Sequence, residues 1–405
     1  MERTDIIILG GGLVGLTLAI ALDAHGVSSA VIDPADPADL IAQGFDGRVS
    51  AVASASGKML DAIGVGARLA GKGCPIDAIE VGEGARGVLG FRPDPDDGAL
   101  GVMVENRELR IALHATAEAA KDLHLFPRSR AAKVERDSAG VRVTLEDGRT
   151  LAGALLVAAE GRNSPTREAA GITVARWQYD HVAVITTIAH EKPHGNTAFE
   201  LFFPAGPFAM LPMNPDAEGR SRSALVWTVS RKDAAGLVGL SDRGFLAEAE
   251  KRMGAILGRL LAATPRSSYP LGFHHAARIT GERLALVGDA AHGIHPIAGQ
   301  GLNLGFRDAA ALAEVLVDGV RLGLDPGDAQ LLARYETWRS LDTATVAITT
   351  DALTHVFGVP GRTASTIRRL GMSMIDRIGP LRDRFMAEAR GESGALPKLL
   401  QGITV

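Results

Sequence analysis

The chain has 405 residues, of which 46% are hydrophobic, and it carries 43 Lys and Arg against 47 Asp and Glu. A chain of this size can bury a substantial core, and two joined units are expected more than one. The formal net charge of −4 excludes the basic footprint of a nucleic-acid-binding protein. The single cysteine, Cys74, predicts neither a disulfide framework nor a thiolate metal site, and it favours a reducing, cytoplasmic compartment.

The first apolar stretch, Ile6 to Leu22, is uncharged and ends in residues that mimic a signal-peptide cleavage site. It follows Glu2 and Asp5 rather than a cluster of positive charges, and glycines interrupt it. It is also a little short to cross a bilayer as a helix. We therefore expect this stretch to belong to the folded chain.

A strand, a glycine turn and a helix account for the same stretch better. The pattern predicts a strand from Asp5 to Leu9, a helix from Val14 to His25 and a second strand from Ser29 to Ile32. Such a strand–turn–helix–strand order is the frame of a dinucleotide-binding βαβ unit.

Three glycines and one acid stand in this frame at the spacing of the dinucleotide fingerprint. Gly10 makes the turn, Gly12 lets a pyrophosphate approach, and Gly15 lets the helix pack closely on the strand. Asp33 follows the second strand, eighteen residues past Gly15, and is predicted to bind ribose hydroxyls. The fingerprint indicates a dinucleotide but leaves FAD and NAD open.

A second glycine-rich stretch runs from Arg283 to Asp308. Its first residues are an apolar run that predicts a buried strand, and this run ends where Asp289 begins a turn. A helix from Leu302 to Leu316 follows, and its start offers unpaired N–H groups and about half a positive charge. Besides Asp289, the candidate cofactor-binding residues in this stretch are Gly288, Pro296, Gly299, Gly301, Leu302 and Asn303.

The residues Gly-Asp-Ala-Ala-His, Pro, Gly-Gln-Gly-Leu-Asn-Leu-Gly and Asp of this stretch resemble the second flavin-binding motif of the class A flavoprotein monooxygenases. Within that class the whole chain is most similar to the aromatic-ring hydroxylases of ubiquinone biosynthesis. The resemblance implies FAD as the cofactor, with Asp289 on its ribityl chain and the glycine-rich turn beside its isoalloxazine ring. The alternative is an Asp that caps a helix and a turn that only closes a loop.

The resemblance also assigns two arginines and the first helix residue, Val14, to FAD. Arg48 matches an arginine that the family places against the flavin and the pyrophosphate. Arg110 matches one that reaches the ribityl or phosphate region. Judged from the residues alone, an arginine such as Arg48 is more often a solvated charge.

A third motif follows the predicted strand Ala154 to Ala159, and its residues are Glu160, Gly161, Ser164 and Arg167. In the family this motif is linked to FAD and to the pyrophosphate of NAD(P)H. Glu160 departs from it, because the family has an Asp there, and cofactor docking at this point stays open. In the alternative interpretation Glu160 begins a helix cap.

From Ile172 to Leu271, strand-like runs alternate with Pro, Gly, Asn and Asp, which predicts an antiparallel sheet inserted into the nucleotide-binding fold. In the family such a sheet roofs the flavin, and Gly206 to Pro212 matches its signature strand. Leu211, Pro212 and Trp227 are therefore candidate substrate contacts. Each also suits an ordinary core, and for Trp227 the core is favoured.

The predicted fold class is α/β, with a discontinuous Rossmann-like FAD-binding domain, an inserted antiparallel β-sheet substrate domain and C-terminal helices. We assign residues 1–74, 102–171 and 281–360 to the FAD-binding domain. The substrate domain takes residues 75–101 and 172–280, and the C-terminal helical region takes residues 361–405.

Two histidines of the second glycine-rich stretch, His292 and His295, are candidates for an acid–base role. The sequence identifies no partner carboxylate for either, and a turn histidine bonded to the backbone is at least as frequent. We therefore assign no catalytic residue.

Residues 362–390 place apolar side chains at helical spacing, with Arg368, Arg369 and Arg377 among the other positions. A basic amphipathic helix of this kind could lie peripherally on the anionic inner face of a membrane. The favoured interpretation is that its apolar stripe packs on its own protein.

By resemblance, the chain is predicted to be an FAD-dependent monooxygenase that consumes NAD(P)H and O2. A flavin hydroperoxide would place one oxygen on a lipophilic aromatic ring, a polyprenyl phenol or quinol intermediate of ubiquinone biosynthesis. Contacts with other proteins of a ubiquinone-biosynthesis complex and a homo-oligomeric state are further expectations. The alternatives are a related FAD oxidoreductase and a flavin-bearing scaffold subunit with little turnover.

Overall fold

The computed structural model of the chain describes residues 1–42, 45, 47–84, 86–94, 97–293, 300–340 and 379–405. Several predictions fall outside these residues, namely those for Pro296, Gly299, His295, Arg368, Arg369 and Arg377.

The strands, in chain order, are β1 (Glu2–Arg3), β2 (Ile6–Leu9), β3 (Ser29–Ile32), β4 (Val49–Ala53), β5 (Gly73–Ile76), β6 (Ala78–Glu83), β7 (Arg86–Phe91), β8 (Gly101–Glu105), β9 (Leu123–Phe126), β10 (Ala131–Asp137), β11 (Gly140–Leu145), β12 (Thr150–Gly153), β13 (Leu155–Ala158), β14 (Val174–His190), β15 (Thr197–Phe203), β16 (Gly206–Met213), β17 (Arg222–Ser230), β18 (Leu260–Ala263), β19 (Ser267–Ala276), β20 (Thr280–Gly281), β21 (Leu284–Leu286) and β22 (His292–Gly293).

The helices are α1 (Leu13–Asp23), α2 (Pro37–Ala42), α3 (Ser54–Ala62), α4 (Gly66–Leu69), α5 (Asn106–Ala119), α6 (Pro165–Ala169), α7 (Arg231–Val238), α8 (Asp242–Met253), α9 (Gln300–Arg321), α10 (residues 329–340) and α11 (Gly379–Ala389). Short 3-10 turns cover Gly288–Ala290 and Lys398–Gln401.

A six-stranded sheet carries the nucleotide-binding part, in the order β20-β21-β13-β2-β3-β9. Its central strands β2, β3 and β13 are buried at every residue and pair in parallel. Parallel strands covered on both faces read as continuous apolar runs, which is why the sequence predicted them. A four-stranded sheet, β1-β12-β11-β10, and a three-stranded sheet, β4-β8-β5, accompany it.

A nine-stranded, mainly antiparallel sheet forms the second unit, in the order β22-β19-β14-β17-β16-β15-β6-β7, with β18 paired to β14. Its longest strand, β14, has 17 residues, of which the apolar pattern of the sequence marks only Val182 to Ile188 as a strand. The missed half is mostly exposed and polar, so it lacks the apolar signal that marks a buried strand.

The two faces of this sheet are covered differently. The outer face, with Phe208, Met210 and Trp227, packs under α7 and α8, two helices that the strand pattern of this region did not predict. The inner face carries Ala198, Ala209, Leu211, Ala224 and Val226. It packs against β4, β5 and β8 of the three-stranded sheet and therefore faces the nucleotide-binding part.

Helix α11 also packs on the inner face. Its Phe385 and Met386 join the apolar cluster there, and the Phe385 ring lies 4.5 Å from that of Phe91. In the described end of the C-terminal region, the apolar residues thus pack on the protein itself.

The α/β fold class and the inserted sheet are confirmed. The nine-stranded sheet draws its strands from residues 78–91, 174–276 and 292–293. The domain boundaries themselves stay a prediction. In the described part of the chain, every helix is too short or too polar to cross a membrane.

Candidate flavin site

The first glycine turn, between β2 and α1, is shaped by close backbone approaches. Gly10 has a φ of +107°, and a Cβ there would stand 2.4 Å from the Ala159 carbonyl oxygen. A Cβ on Gly15 would stand 2.0 Å from the carbonyl oxygen of Gly10. At Gly12, in contrast, a Cβ would meet no described atom within 4 Å, so the backbone at the helix start is open to a ligand.

A cavity of about 240 Å³ adjoins this turn on the side of β3. Asp33 lies in its wall, and its carboxylate accepts the backbone N–H groups of Gly11 and Ala35. His114 from α5 lines the same cavity, and burial, opposed by Glu118, lowers the pKa of its imidazole. Arg110 lies one helical turn before His114 on α5 and lowers that pKa further.

A larger cavity of about 510 Å³ lies on the other side of the turn. It is lined by Leu13, Val14, Ser50, Asn106, Arg162, Tyr269, Pro270, Leu271, Gly272, Gly288, Asp289, His292, Gly293, Gly301, Leu302 and Leu304. The backbone carbonyl of Arg48 accepts the N–H of Asn106, which lines this cavity, so Arg48 lies close to the cavity wall. The two sequence motifs therefore meet at one cavity, although Val14 and Gly288 are 274 residues apart in the chain.

Asp289 enters the larger cavity because the chain turns sharply before it. Gly288 has a φ of +59°. Val14 packs against Gly305 so closely that a Cβ on Gly305 would lie 2.5 Å from the Val14 side chain. Helices α1 and α9 thus meet through small residues beside the turn. The Asp289 carboxylate is exposed and makes no hydrogen bond to another described residue, whereas its carbonyl oxygen contacts His274 Nε2 at 2.7 Å.

Asp308 on α9 is fully buried and bonds to the backbone of this turn on the side away from the cavity. One carboxylate oxygen accepts the Arg339 Nε–H at 2.6 Å, and the other accepts the Gly288 N–H at 2.8 Å. His292 Nε2 lies 2.7 Å from the second oxygen, although without hydrogen-bond alignment. Burial alone would raise the pKa of Asp308, but His292 and Arg339 outweigh it and hold that pKa below its usual value.

His292 therefore has the carboxylate neighbour that the sequence did not identify. The two residues are sixteen positions apart, and only the return of α9 behind the turn brings them together. Asp308 closes the second flavin motif but received no predicted role in the site, and Arg339 and Tyr269 were absent from the predicted site. The place of Asp308 in the motif was its signal, whereas Arg339 is only an arginine in a later helix.

The side chains of the third motif bond within the motif and to the turn that follows β21. The Glu160 carboxylate accepts the Ser164 hydroxyl at 2.6 Å and the Thr166 N–H at 3.3 Å, so it caps α6. Buried Arg167 donates to the carbonyl oxygens of Ala290 and Arg162, both at 2.9 Å. The motif thus ties α6 to the flavin turn, a geometry that favours the capping interpretation of Glu160. Gly161, at a φ of +81°, makes the intervening turn.

Asn303 is close to the larger cavity, but its side chain is engaged elsewhere. It donates to the Ala51 carbonyl oxygen at 2.8 Å and accepts from the Ala53 N–H at 3.0 Å and the Ser56 hydroxyl at 2.9 Å. The side chain therefore clamps α9 to β4 and to the start of α3.

The three predicted substrate contacts separate in the structure. Leu211 is buried on the inner face, whereas Pro212 alternates to the opposite side of the same strand. Trp227 lies in the outer core, with its ring 5.2 Å from Phe208 and 5.7 Å from Phe245. The structure therefore does not place Trp227 at a cavity: α8 covers the face on which it lies.

The residues fit FAD from end to end. The smaller cavity with Asp33 suits a ribose and its base, the open turn at Gly12 suits a pyrophosphate, and the larger cavity suits a ribityl chain and a ring system. The unengaged Asp289 carboxylate supplies acceptors for ribityl hydroxyls in that larger cavity.

Sequence comparisons agree with this geometry. The FAD binding domain family matches residues 3–348. The chain is 44% identical over 403 residues to "Ubiquinone hydroxylase UbiL" of Rhodospirillum rubrum, across 98% of this chain and 93% of that protein. It is 33% identical over 400 residues to the 3-demethoxyubiquinol 3-hydroxylase of Escherichia coli, across 96% and 99% of the two chains.

Solved structures show the same fold at low identity. The p-nitrophenol 4-monooxygenase PnpA of Pseudomonas putida aligns with a TM-score of 0.80 at 16% identity, covering 98% of this chain and 100% of that one. PqsL of Pseudomonas aeruginosa, solved with 2-aminobenzoylacetate, aligns with a TM-score of 0.76 at 23% identity, covering 88% and 97%.

Proposed function

This chain belongs to the FAD-binding domain family and, within it, to the FAD-dependent hydroxylases of ubiquinone biosynthesis, and from this premise we propose its substrate. The substrate is the ring of a polyprenyl phenol or quinol, which receives one oxygen atom from O2 at the expense of NAD(P)H. The observation that carries the proposal is the larger cavity, which is lined by Asp289 and lies beside an inserted sheet whose inner face is mainly apolar.

The chain's own contribution is to bind and orient the cofactor. Gly12 leaves the pyrophosphate position open, Asp33 and Asp289 accept hydrogen bonds from hydroxyl groups at the two ends, and Arg48 supplies positive charge near the wall of the larger cavity. FAD, when bound, supplies the electron transfer and the oxygen activation. The proposed division of roles leaves positioning and electrostatics to the protein.

The inner face contributes by excluding water. Leu211, Ala209 and Val226 present only apolar groups there, and the three-stranded sheet and α11 cover them. A ring held against this face would be shielded from solvent while oxygen is transferred. A scaffold that only bears flavin does not need such a chamber.

The test is an assay of purified, FAD-loaded protein with 2-geranylphenol, a short polyprenyl phenol. We expect the phenol to accelerate NADH or NADPH oxidation, and one atom of ¹⁸O2 to appear in the product by mass spectrometry. The same protein from which FAD has been removed serves as the control without cofactor. Retention of FAD with no phenol-dependent oxidation and no labelled product would instead support the scaffold alternative.

Peripheral membrane contact through Arg368, Arg369 and Arg377 also remains a proposal. Replacing these three residues by Glu should abolish co-sedimentation with anionic liposomes and leave turnover of 2-geranylphenol unchanged. Absence of liposome binding by the parent protein would exclude this contact.

A further inference from the structure

Glu200 is a carboxylate in an apolar layer. It lies on β15 between Ala198 and Phe202, and its cross-strand neighbours are Ala209 on β16 and Val81 on β6. Because strand residues alternate between faces, Glu200 shares the inner face with Ala198 and Ala209, while Phe199 and Leu201 point to the outer core. Glu200 therefore points towards the nucleotide-binding part.

The side chain is 8% exposed and has no hydrogen-bond or ion-pair partner among the described residues. Its situation is unusual because buried carboxylates are normally paired or hydrogen bonded. An unpaired carboxylate on the apolar inner face is suited to a ligand that brings its own hydrogen-bond donor.

The charged and titratable groups on the elements packed against the inner face are engaged elsewhere or are neutral. Arg222 on β17 pairs with Glu105 on β8 at 2.7 Å, and Arg390 after α11 pairs with Asp97 at 2.7 Å. Arg382 donates to the Arg92 carbonyl oxygen, and Asp383 and Arg384 are exposed. Burial raises the pKa of the Cys74 thiol to about 11.

We propose that Glu200 binds the ring hydroxyl of the substrate and takes its proton as the ring is oxygenated. The inference rests on the proposed function and identifies the polar anchor of its substrate. The phenolic O–H bond breaks, the electron pair stays on the ring oxygen, and the proton moves to a Glu200 carboxylate oxygen. The oxygenated ring carbon then loses its hydrogen as a proton to water, which restores the electron pair on the ring oxygen, and the proton held by Glu200 returns to that oxygen before the product leaves.

The chemistry of the carboxylate supports this role. The extra electron pair on the ring oxygen enriches the ring, which makes it a better target for an electrophilic oxygen. Burial raises the pKa of Glu200 to about 7, and a general base works best with a pKa near the operating pH. An apolar surrounding also strengthens each hydrogen bond that the carboxylate accepts.

The first experiment compares Glu200→Gln with the parent, both loaded with FAD. We expect hydroxylation of 2-geranylphenol to fall about a hundredfold or more, with NAD(P)H consumption diverted to H2O2. The rise of the parent's kcat through about pH 7 should disappear in the variant. Glu80→Gln is the matched control, because Glu80 pairs with Phe199 and therefore points to the outer face.

The second experiment needs no turnover and no variant. The parent should bind 2-geranylphenol about tenfold or more tightly than geranylbenzene, which lacks the hydroxyl, as measured by calorimetric titration at pH 8. The preference should shrink below pH 6, where Glu200 is protonated. In Glu200→Gln the preference should be reduced at both pH values.

Equal binding of the two ligands by the parent, or a Glu200→Gln variant with the parent's kcat, coupling and pH profile, would overturn the proposal. A parent that binds the phenol preferentially without hydroxylating it would instead overturn the proposed function. The two failures are therefore distinguishable.

Discussion

Two buried carboxylates, one in each part of the molecule, differ in their hydrogen bonding and in the direction of their pKa shift. In the flavin turn, Asp308 is fully enclosed and both of its oxygens accept hydrogen bonds, from Arg339 and from the Gly288 backbone. On the inner face, Glu200 is almost as enclosed but has no partner among the described residues. The same chemical group thus has a lowered pKa in one place and a raised pKa in the other.

The difference indicates what each region is built to do. A fully bonded carboxylate fixes its surroundings, so the turn that presents Asp289 is held in place before any cofactor arrives. An unbonded carboxylate leaves one interaction for a ligand to complete. The flavin turn is therefore fixed before the cofactor binds, whereas the carboxylate on the inner face still lacks a hydrogen-bond partner that a substrate could supply.

The largest effect is expected for Asp308→Asn. The substitution leaves Arg339 buried beside a neutral amide, and breaking a buried ion pair costs about 3–5 kcal/mol. Because the folded pKa of Asp308 is lowered, its stabilisation is present above the unfolded value of about 4 and is lost only as the pH falls through the folded value. Chemical denaturation at pH 7 measures the loss. Asp318→Asn is the control, because the Asp318 carboxylate on α9 is 28% exposed and pairs with half-exposed Arg334 at 3.3 Å, and equal costs for the two variants would contradict the role of Asp308.

The next effect concerns Glu200→Gln and has the opposite sign. A folded pKa of about 7 against an ordinary 4.5 means that the native state holds its proton longer, so the parent loses stability as the pH rises through this interval. The shift corresponds to about 3 kcal/mol between pH 4 and pH 8. Denaturation curves at the two pH values should show this loss in the parent but not in the variant. Parallel curves would indicate that Glu200 is paired.

A third variant, Asp289→Ala, separates cofactor binding from folding. The exposed carboxylate contributes no described contact to the fold, so the unfolding free energy of the cofactor-free protein should be unchanged. Loss of hydrogen bonds to a charged acceptor should weaken FAD affinity by about 1–3 kcal/mol, measured by flavin fluorescence titration. Asp289→Asn, which keeps one acceptor, should lose less. Unchanged FAD affinity would show that Asp289 is only a structural cap.

The smallest effect is expected where a carboxylate is both paired and solvated. Glu392 lies 2.7 Å from Lys58, and their side chains are 25% and 46% exposed. Solvent screening limits such pairs to about 1 kcal/mol or less, so Glu392→Gln should barely shift the denaturation midpoint. If Glu392→Gln lost as much unfolding free energy as Asp308→Asn, burial would not explain the order of these effects.

The sequence predicted the elements whose signals are local. Gly10, Gly15 and Asp289 stand in contiguous motifs, because a close backbone approach requires glycine at a fixed distance from the strand. The inserted sheet followed from runs of apolar strand residues. Helices α7 and α8 were missed, because their periodicity lies within a stretch dominated by strands.

The contacts that depend on tertiary register could not be predicted. Asp308 meets Arg339 and His292 only after α9 and α10 have packed, and the unpaired state of Glu200 depends on which side of β15 faces the interior. The position of Trp227 could not be predicted for the same reason, because a one-residue shift in the register of its strand would move the side chain to the other face of the sheet.

The two residues of β22 have a mechanical consequence. His292 and Gly293 pair with His275 and His274 at the edge of the nine-stranded sheet, so the flavin turn is itself the terminal strand of the sheet proposed to receive the substrate. Any sliding of β19 pulls on His292 and, through it, on the side-chain contact with Asp308. We therefore expect a ligand that shifts β19 to change the absorption spectrum of the bound flavin.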